Sequence, residues 1–151
     1  MSNIYRMKIV NKKALYNYHI LERVEAGIVL TGSEVKSIRN GRLDLGESHV
    51  RILNGEAFLI NAHIPPYQSA DKDYDPQHSR KLLLHKSQIN SLIGKVSKGG
   101  MALIPVSLYE KNNRFKVEVG LARSKKEFDK RRVIKERDHI RRIEQELRGK
   151  E

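Results

Sequence analysis

Apolar and polar residues alternate along most of the first four-fifths of the chain, and the pattern turns helical in three short stretches and again at the end. Asn11 to Tyr18 (NKKALYNY) reads as a short helix, with Asn11 able to cap the free amides of its first turn. Tyr18 to Leu30 is rich in Ile, Val and Leu and reads as a strand, bent where Gly27 interrupts it. TGSEVKSIRNG then gives one tight helix, with Ser33 as N-cap, Val35 and Ile38 as its buried positions and Gly41 as its stop. Ser48 to Leu53 and Glu56 to Ile64 read as a hairpin across Asn54-Gly55, a pair suited to the positive φ angles of a type I′ turn. Pro65-Pro66 ends that strand, and Gln68 to Ser79 is a polar loop. Leu82 to Val96 is apolar and becomes helical from about Lys86, ending at Gly99-Gly100. Met101 to Tyr109 and Arg114 to Ala122 are alternating strands joined by Lys111-Asn112-Asn113.

These elements predict a mainly β fold with accessory α: a small antiparallel six-stranded barrel of the oligonucleotide-binding kind, with about three short helices. A length of 151 residues fits one domain that folds without covalent staples.

Charge adds a second division. The chain carries a formal net charge of +12, an excess that points to a polyanionic partner. Residues 1–121 hold 18 basic and 11 acidic residues, and residues 122–151 hold 12 and 7. The reading is a barrel body over 1–122 and a basic tail over 123–151. In the tail, Val133, Ile134, Arg137, Ile140, Ile143 and Leu147 recur at spacings of three and four, among Arg131, Lys135, Arg142 and Arg148. Such a strip is too weakly apolar to hold a helix alone, so the tail is expected to be partly disordered when free and helical against a partner.

Chemistry is sparse. With no Cys there is no disulfide framework, thiolate zinc site or thiol nucleophile. DKDYD (71–75) starts like a calcium loop but has Pro76 where the loop needs Gly and Leu82 where it needs Glu. IGKVS (93–97) lacks the first Gly of a phosphate loop. Neither the six histidines nor any serine stands in a metal-binding or nucleophile motif. No cofactor and no catalysis are expected, and neither a signal peptide nor a membrane span is visible, which suggests a cytoplasmic protein.

The basic residues are clustered instead: Lys12-Lys13, Lys36/Arg39/Arg42, Arg80-Lys81, and Lys125-Lys126 with Lys130-Arg131-Arg132. Clusters of this kind neutralise phosphates, and Arg also stacks on bases. Tyr5, Tyr16, Tyr18, Tyr67, Tyr74, Tyr109 and Phe128 lie near basic residues or loops, where aromatic rings can stack on unpaired bases.

Five segments carry a family resemblance: EAGIVLTGSEVKSIRNG (25–41), NAHIPPY (61–67), DPQHSRKLLLHK (75–86), LYEKNNRFKVEVGLA (108–122) and KKEFDKR (125–131). Together they resemble the small protein B family, the SsrA-binding proteins of bacteria. The resemblance implies a monomeric adaptor of trans-translation that binds the tRNA-like domain of transfer-messenger RNA and takes it to stalled ribosomes. It implies that the tail enters the empty mRNA channel at the decoding centre of the small subunit. It also implies indirect cooperation with elongation factor Tu and alanyl-tRNA synthetase, which with the ribosome perform the chemistry. Carried over by position, Asn11 and Glu25 match RNA-binding positions, joined by Lys12, Lys13, Lys36, Arg39, Arg80, Lys81 and Leu83. Lys125, Lys126, Phe128, Asp129, Lys130, Arg131, Lys135 and Arg137 fall to the ribosome. Glu25 is expected to accept hydrogen bonds from base edges, with pairing to Lys12 or Lys13 as the alternative. Leu83 is either an apolar prop at the RNA or plain core. Two positions depart from the family: Ser124 where Gly is usual, and His78 where a second Arg is frequent. A structural ribosomal protein with a basic extension shares the charge, size and barrel and is the alternative reading.

Overall fold

A computed structural model describes residues 5–68, 71–125 and 127–149, with backbone only for 127–133 and 149. The elements run β1 (Met7–Val10), α1 (Lys12–Asn17), β2 (Tyr18–Ile28), α2 (Gly32–Arg39), β3 (His49–Leu53), β4 (Glu56–Ile60), β5 (Arg80–Leu83), α3 (Lys86–Ser97), β6 (Ala102–Lys111), β7 (Arg114–Ser124) and α4 (Glu127–Gly149).

Six strands form a ring in the order β6-β3-β4-β5-β2-β7, closed by the pairing of β7 back onto β6. This is the expected six-stranded barrel. The short β1 adds a seventh strand beside β6, with Met7 opposite Glu110 and Val10 opposite Ser107. Its four residues are too few for alternation to stand out in the sequence, and it forms because β6 is long enough to offer a second edge. Every pairing is antiparallel, as hairpin order requires.

The two hairpin turns follow their sequences. Asn54 and Gly55 have φ of 51° and 75°, and Asn112 and Asn113 have 52° and 61°, the left-handed pair that a type I′ turn demands. Two local expectations change. The N-cap of α2 is Thr31, not Ser33. The Thr31 hydroxyl accepts from the Glu34 N–H (3.2 Å), and the Glu34 carboxylate accepts from the Thr31 N–H (3.0 Å), so the reciprocal capping box outcompetes a lone hydroxyl. The strand β4 stops at Ile60 instead of reaching Ile64. Asn61 turns the chain with φ 68°, and beyond it only an isolated bridge, Asp44 to His63, continues the pairing.

The ring closes around one apolar cluster that includes Ala26, Val50, Leu59, Leu82, Leu103, Leu108, Val117, Val119 and Leu121, and α3 adds Leu92 to it. Where β6 shifts register between Pro105 and Ser107, a bulge accommodates a proline that cannot donate to the ladder. Asn11 uses this irregularity. Its side chain caps α1 through the Ala14 N–H (3.1 Å) and donates to the carbonyls of Leu45 (3.1 Å) and Pro105 (2.8 Å).

One seam is thin. β3 and β6 meet at the single pair Val50–Leu103, whereas β6 and β7 pair from Ala102–Ala122 to Lys111–Arg114. Beyond β7, α4 carries the tail.

Candidate nucleic-acid interface

Strands β2, β5 and β7, the hairpin turn at Asn54-Gly55 and the start of α3 wall a cleft of about 760 Å³. It gathers Glu25, Lys81 and Leu83, three of the residues named from sequence, in one place. It adds Lys86, Gln88 and Lys116, which sequence reasoning left out of the site. Lys116 was hidden because its strand reads as ordinary alternation. Only the pairing of β7 with β2, which sets Lys116 opposite Gly27, brings it to the cleft wall.

The cleft has an apolar side and a charged rim. Leu82 is buried, while its neighbour Leu83 is 54% exposed. The strand period of two explains the contrast, and it decides against a core role for Leu83. Leu83 lies over Gly27, where an added Cβ would approach its side chain to 3.2 Å. The glycine gives Leu83 room to lie across the strand. Lys81 is exposed, its ammonium 3.5 Å from Glu56. A pair so open to solvent holds the Lys only weakly and leaves it free to exchange partners.

Glu25 faces solvent, and its partner is neither Lys12 nor Lys13. The Tyr109 hydroxyl donates to its carboxylate. Burial of the phenol, together with the Glu25 carboxylate beside it, pushes the Tyr109 hydroxyl well above its ordinary range. The phenol therefore stays protonated and fixes one carboxylate oxygen. Tyr5 packs edge-on against the Tyr109 ring at 4.9 Å, and Tyr109 is buried, so the Tyr109 ring is not a free stacking platform.

Arg80 is corrected by the structure. Its side chain is fully buried, and it belongs to a network inside the body rather than to the surface. Its Nε donates to Glu34 (2.8 Å), one terminal nitrogen to the Ala62 carbonyl (2.6 Å), and the other to the Tyr74 hydroxyl (3.0 Å) and the Pro76 carbonyl (2.9 Å). Burial pushes the Glu34 carboxyl up, but the Thr31 N–H and the Arg80 guanidinium outweigh it and hold the group below its ordinary value. His78, in place of the second arginine, sits with Nε2 3.0 Å from the same carboxylate. Tyr74 is spent on this network too. Strand alternation places Arg80 on the inner face with Leu82, a consequence invisible in a cluster read as Arg-Lys.

The remaining residues lie elsewhere. Asn11 is buried in its cap and its two carbonyl contacts, so its part is architectural. Lys12 and Lys13 are exposed on α1, with Lys13 paired to Glu47. On α2, Lys36 is exposed, with its ammonium 5.6 Å from the Tyr67 ring centre. Arg39 forms a forked pair with Glu110 (3.3 and 2.6 Å) over the Phe115 ring. This pair holds Glu110 below and Arg39 above their ordinary values.

In the tail, the Lys125 N–H donates to the Asn17 carbonyl (2.8 Å) and its ammonium to the Leu15 carbonyl (3.0 Å). Lys126 lies outside the described residues. Phe128, Asp129, Lys130 and Arg131 fall on the first turns of α4, with their side chains outside the description, while Lys135 and Arg137 are exposed.

A small antiparallel barrel, net basic, with a cation-rimmed apolar cleft defines a protein built on the plan of oligonucleotide-binding domains. The chain belongs to the SmpB protein family, which it matches over residues 8–149. It is 52% identical to the SsrA-binding protein of Persephonella marina over 141 residues, 93% of either chain. It is 49% identical to that of Enterococcus faecalis over 140 residues, 92% of this chain and 91% of the relative. The fold is similar to that of a solved structure described as tmRNA-SmpB: a journey to the center of the bacterial ribosome. There the TM-score is 0.67 at 43% identity, over 80% of this chain and 85% of the other. Among the described residues no helix is long and apolar enough to cross a membrane.

Proposed function

We propose that this chain is the RNA-binding adaptor of trans-translation. It holds the tRNA-like domain of transfer-messenger RNA and carries it to ribosomes stalled on messages without a usable stop codon. The single observation that supports this most is the cleft itself. Leu83 offers an apolar surface for an unstacked base, and Lys81, Lys86 and Lys116 line the same cleft and supply positive charge for its phosphates. Glu25, held by Tyr109, offers one oxygen to the amino or imino groups of a base edge. Glu25 is the informative residue, since an acid in a phosphate-binding rim costs affinity unless it accepts from a base. Lys12, Lys13 and Lys36 extend the basic surface on other faces.

The division of labour follows the charge. The body over 1–122 grips one folded RNA. The tail over 123–151, through Lys125, Lys126, Phe128, Asp129, Lys130, Arg131, Lys135 and Arg137, follows the empty mRNA channel to the decoding centre. The adaptor performs no catalysis and works in the cytoplasm as a monomer. Elongation factor Tu and alanyl-tRNA synthetase act on the same RNA rather than on this chain.

The test is a titration with the tRNA-like RNA across salt. Affinity falls by on the order of a thousandfold or more between low and moderate salt if six or more phosphates are neutralised. Replacing Lys81 or Lys116 by Ala lowers the salt slope by about one each. Glu25→Gln weakens binding although it raises the net positive charge. A flat salt response, or tighter binding by Glu25→Gln, overturns the assignment.

A further inference from the structure

One cross-strand row runs over the outer face of the sheet, from the RNA cleft to the first strand. Lys8 on β1 lies opposite Tyr109 on β6, Tyr109 opposite Lys116 on β7, Lys116 opposite Gly27 on β2, and Gly27 opposite Leu83 on β5. Residues directly opposite in antiparallel strands share a face of the sheet. Met7 and Ile9 pack on the core, so strand alternation turns Lys8 outward. Four strand spacings of ~4.8 Å put Lys8 about 19 Å from Leu83 along the surface.

Tyr5, just before β1, stands beside this row. The next residue, Arg6, donates its N–H to the Glu110 carbonyl (2.9 Å), which fixes where Tyr5 leaves the sheet. Tyr109 is buried although its side chain points outward, and the Tyr5 ring packs edge-on against it. Tyr5 itself stays 37% exposed. The Lys8 ammonium lies 5.3 Å from the centre of the Tyr5 ring. Such a contact is weak where water reaches it, so the ammonium can give way to another group.

The charge on this face favours an anion. The neighbouring row holds two acids, Glu118 and Glu25, and both are occupied: Glu118 pairs with Arg23 (2.7 Å), and Glu25 accepts from Tyr109. Among the described residues, Lys8 and Lys116 have no carboxylate partner.

We propose that Tyr5 and Lys8 form a second subsite for the RNA. An unpaired base stacks on the Tyr5 ring, and Lys8 moves from the ring to the phosphate beside it. The subsite extends the first cleft along the same outer face and rests on the assignment of that cleft to RNA. No tyrosine or phenylalanine lines the cleft itself. Tyr5 therefore supplies the π-face that Leu83 lacks, and every base can stack on it whatever its sequence.

The affinity of the full-length chain for the tRNA-like RNA tests this. Tyr5→Ala weakens binding at least about fivefold, the lower end of what one base stacked on one ring contributes. Tyr5→Leu keeps an apolar cover over Tyr109 without a π-face and loses as much, whereas Tyr5→Phe restores the ring and the affinity together. Lys8→Ala lowers the salt slope by about one. The chain has no tryptophan, so Tyr5→Trp gives it a single emitter at the subsite, and a base stacked there quenches the emission as RNA saturates the protein. Tyr5→Leu binding as tightly as the parent overturns the proposal and leaves Tyr5 as a cover for Tyr109. Emission unchanged at saturating RNA also overturns it. If the Tyr5 and Lys8 variants bind like the parent while Glu25→Gln and Lys116→Ala weaken binding, the subsite falls and the cleft stands. If all of them bind like the parent, both fall.

Discussion

Replacing Arg80 by Ala separates the two roles that this residue can have. On the surface, Arg80 would contribute one phosphate contact and little stability. The structure buries it completely against Glu34. Arg80→Ala takes the guanidinium from the Glu34 carboxylate, whose exposure is 1%, and leaves the carbonyl of Ala62 without its Arg80 donor, while the Pro76 carbonyl keeps the Ile64 N–H. Breaking a buried pair from one side costs about 3–5 kcal/mol. At about 3 °C per kcal/mol for a chain of this size, the melting temperature falls by roughly 10–15 °C. The double variant Arg80→Met/Glu34→Leu removes both charges, and with no carboxylate left unpaired it recovers most of the loss. Thermal unfolding followed by circular dichroism measures all three proteins, and RNA affinity is read below the lowest transition. If Arg80→Ala melts with the parent but loses RNA affinity with a shallower salt slope, the buried-network reasoning is wrong and Arg80 is a phosphate contact after all.

Other expectations rest on single features. Glu34 is held below its ordinary value of 4.5, so its contribution to stability is complete above that pH and is lost as pH falls through the lower folded value. Melting curves between pH 5 and pH 3 therefore drop less steeply for Glu34→Gln than for the parent, although the variant starts lower. Gly120→Ala places a Cβ 2.7 Å from Val106 Cγ2 and 3.2 Å from Ile20 Cγ2. Overpacking of this kind costs about 1–3 kcal/mol, and an unchanged denaturation midpoint would show that the register shifts on either side, at Ile20/Glu22 in β2 and Pro105/Ser107 in β6, absorb it. Removing residues from Asp129 onward leaves the affinity for the tRNA-like RNA nearly unchanged while abolishing tagging on stalled ribosomes in a reconstituted system. A loss of RNA affinity on truncation would refute the division between body and tail.

Some of this protein was set by local chemistry and stood plainly in its sequence. Asn54-Gly55 and Asn112-Asn113 turn their hairpins because these residue types tolerate positive φ. Asn11 caps α1 because its side chain reaches the free amides at once. The hairpin order of the strands required an antiparallel sheet, and their number matched the closed ring. The two-part charge and the family motifs pointed to an RNA partner. Each of these depends on residues within a few positions of one another, or on sums that ignore position.

The tertiary structure decided what depends on faces and on strands far apart in the chain. Arg80 and Lys81 read as one basic cluster, but one step along a strand turns a side chain through the sheet, so Arg80 became an internal anchor and Lys81 a rim residue. The same step buried Leu82 and exposed Leu83. Glu25 found Tyr109, 84 positions away, rather than a nearby lysine, and Lys116 reached the cleft only through the register of β7 on β2. Composition counts every charge alike. The fold sorts charges by the side of the sheet they occupy, because a guanidinium can leave water only where a carboxylate and carbonyls take over its hydrogen bonds.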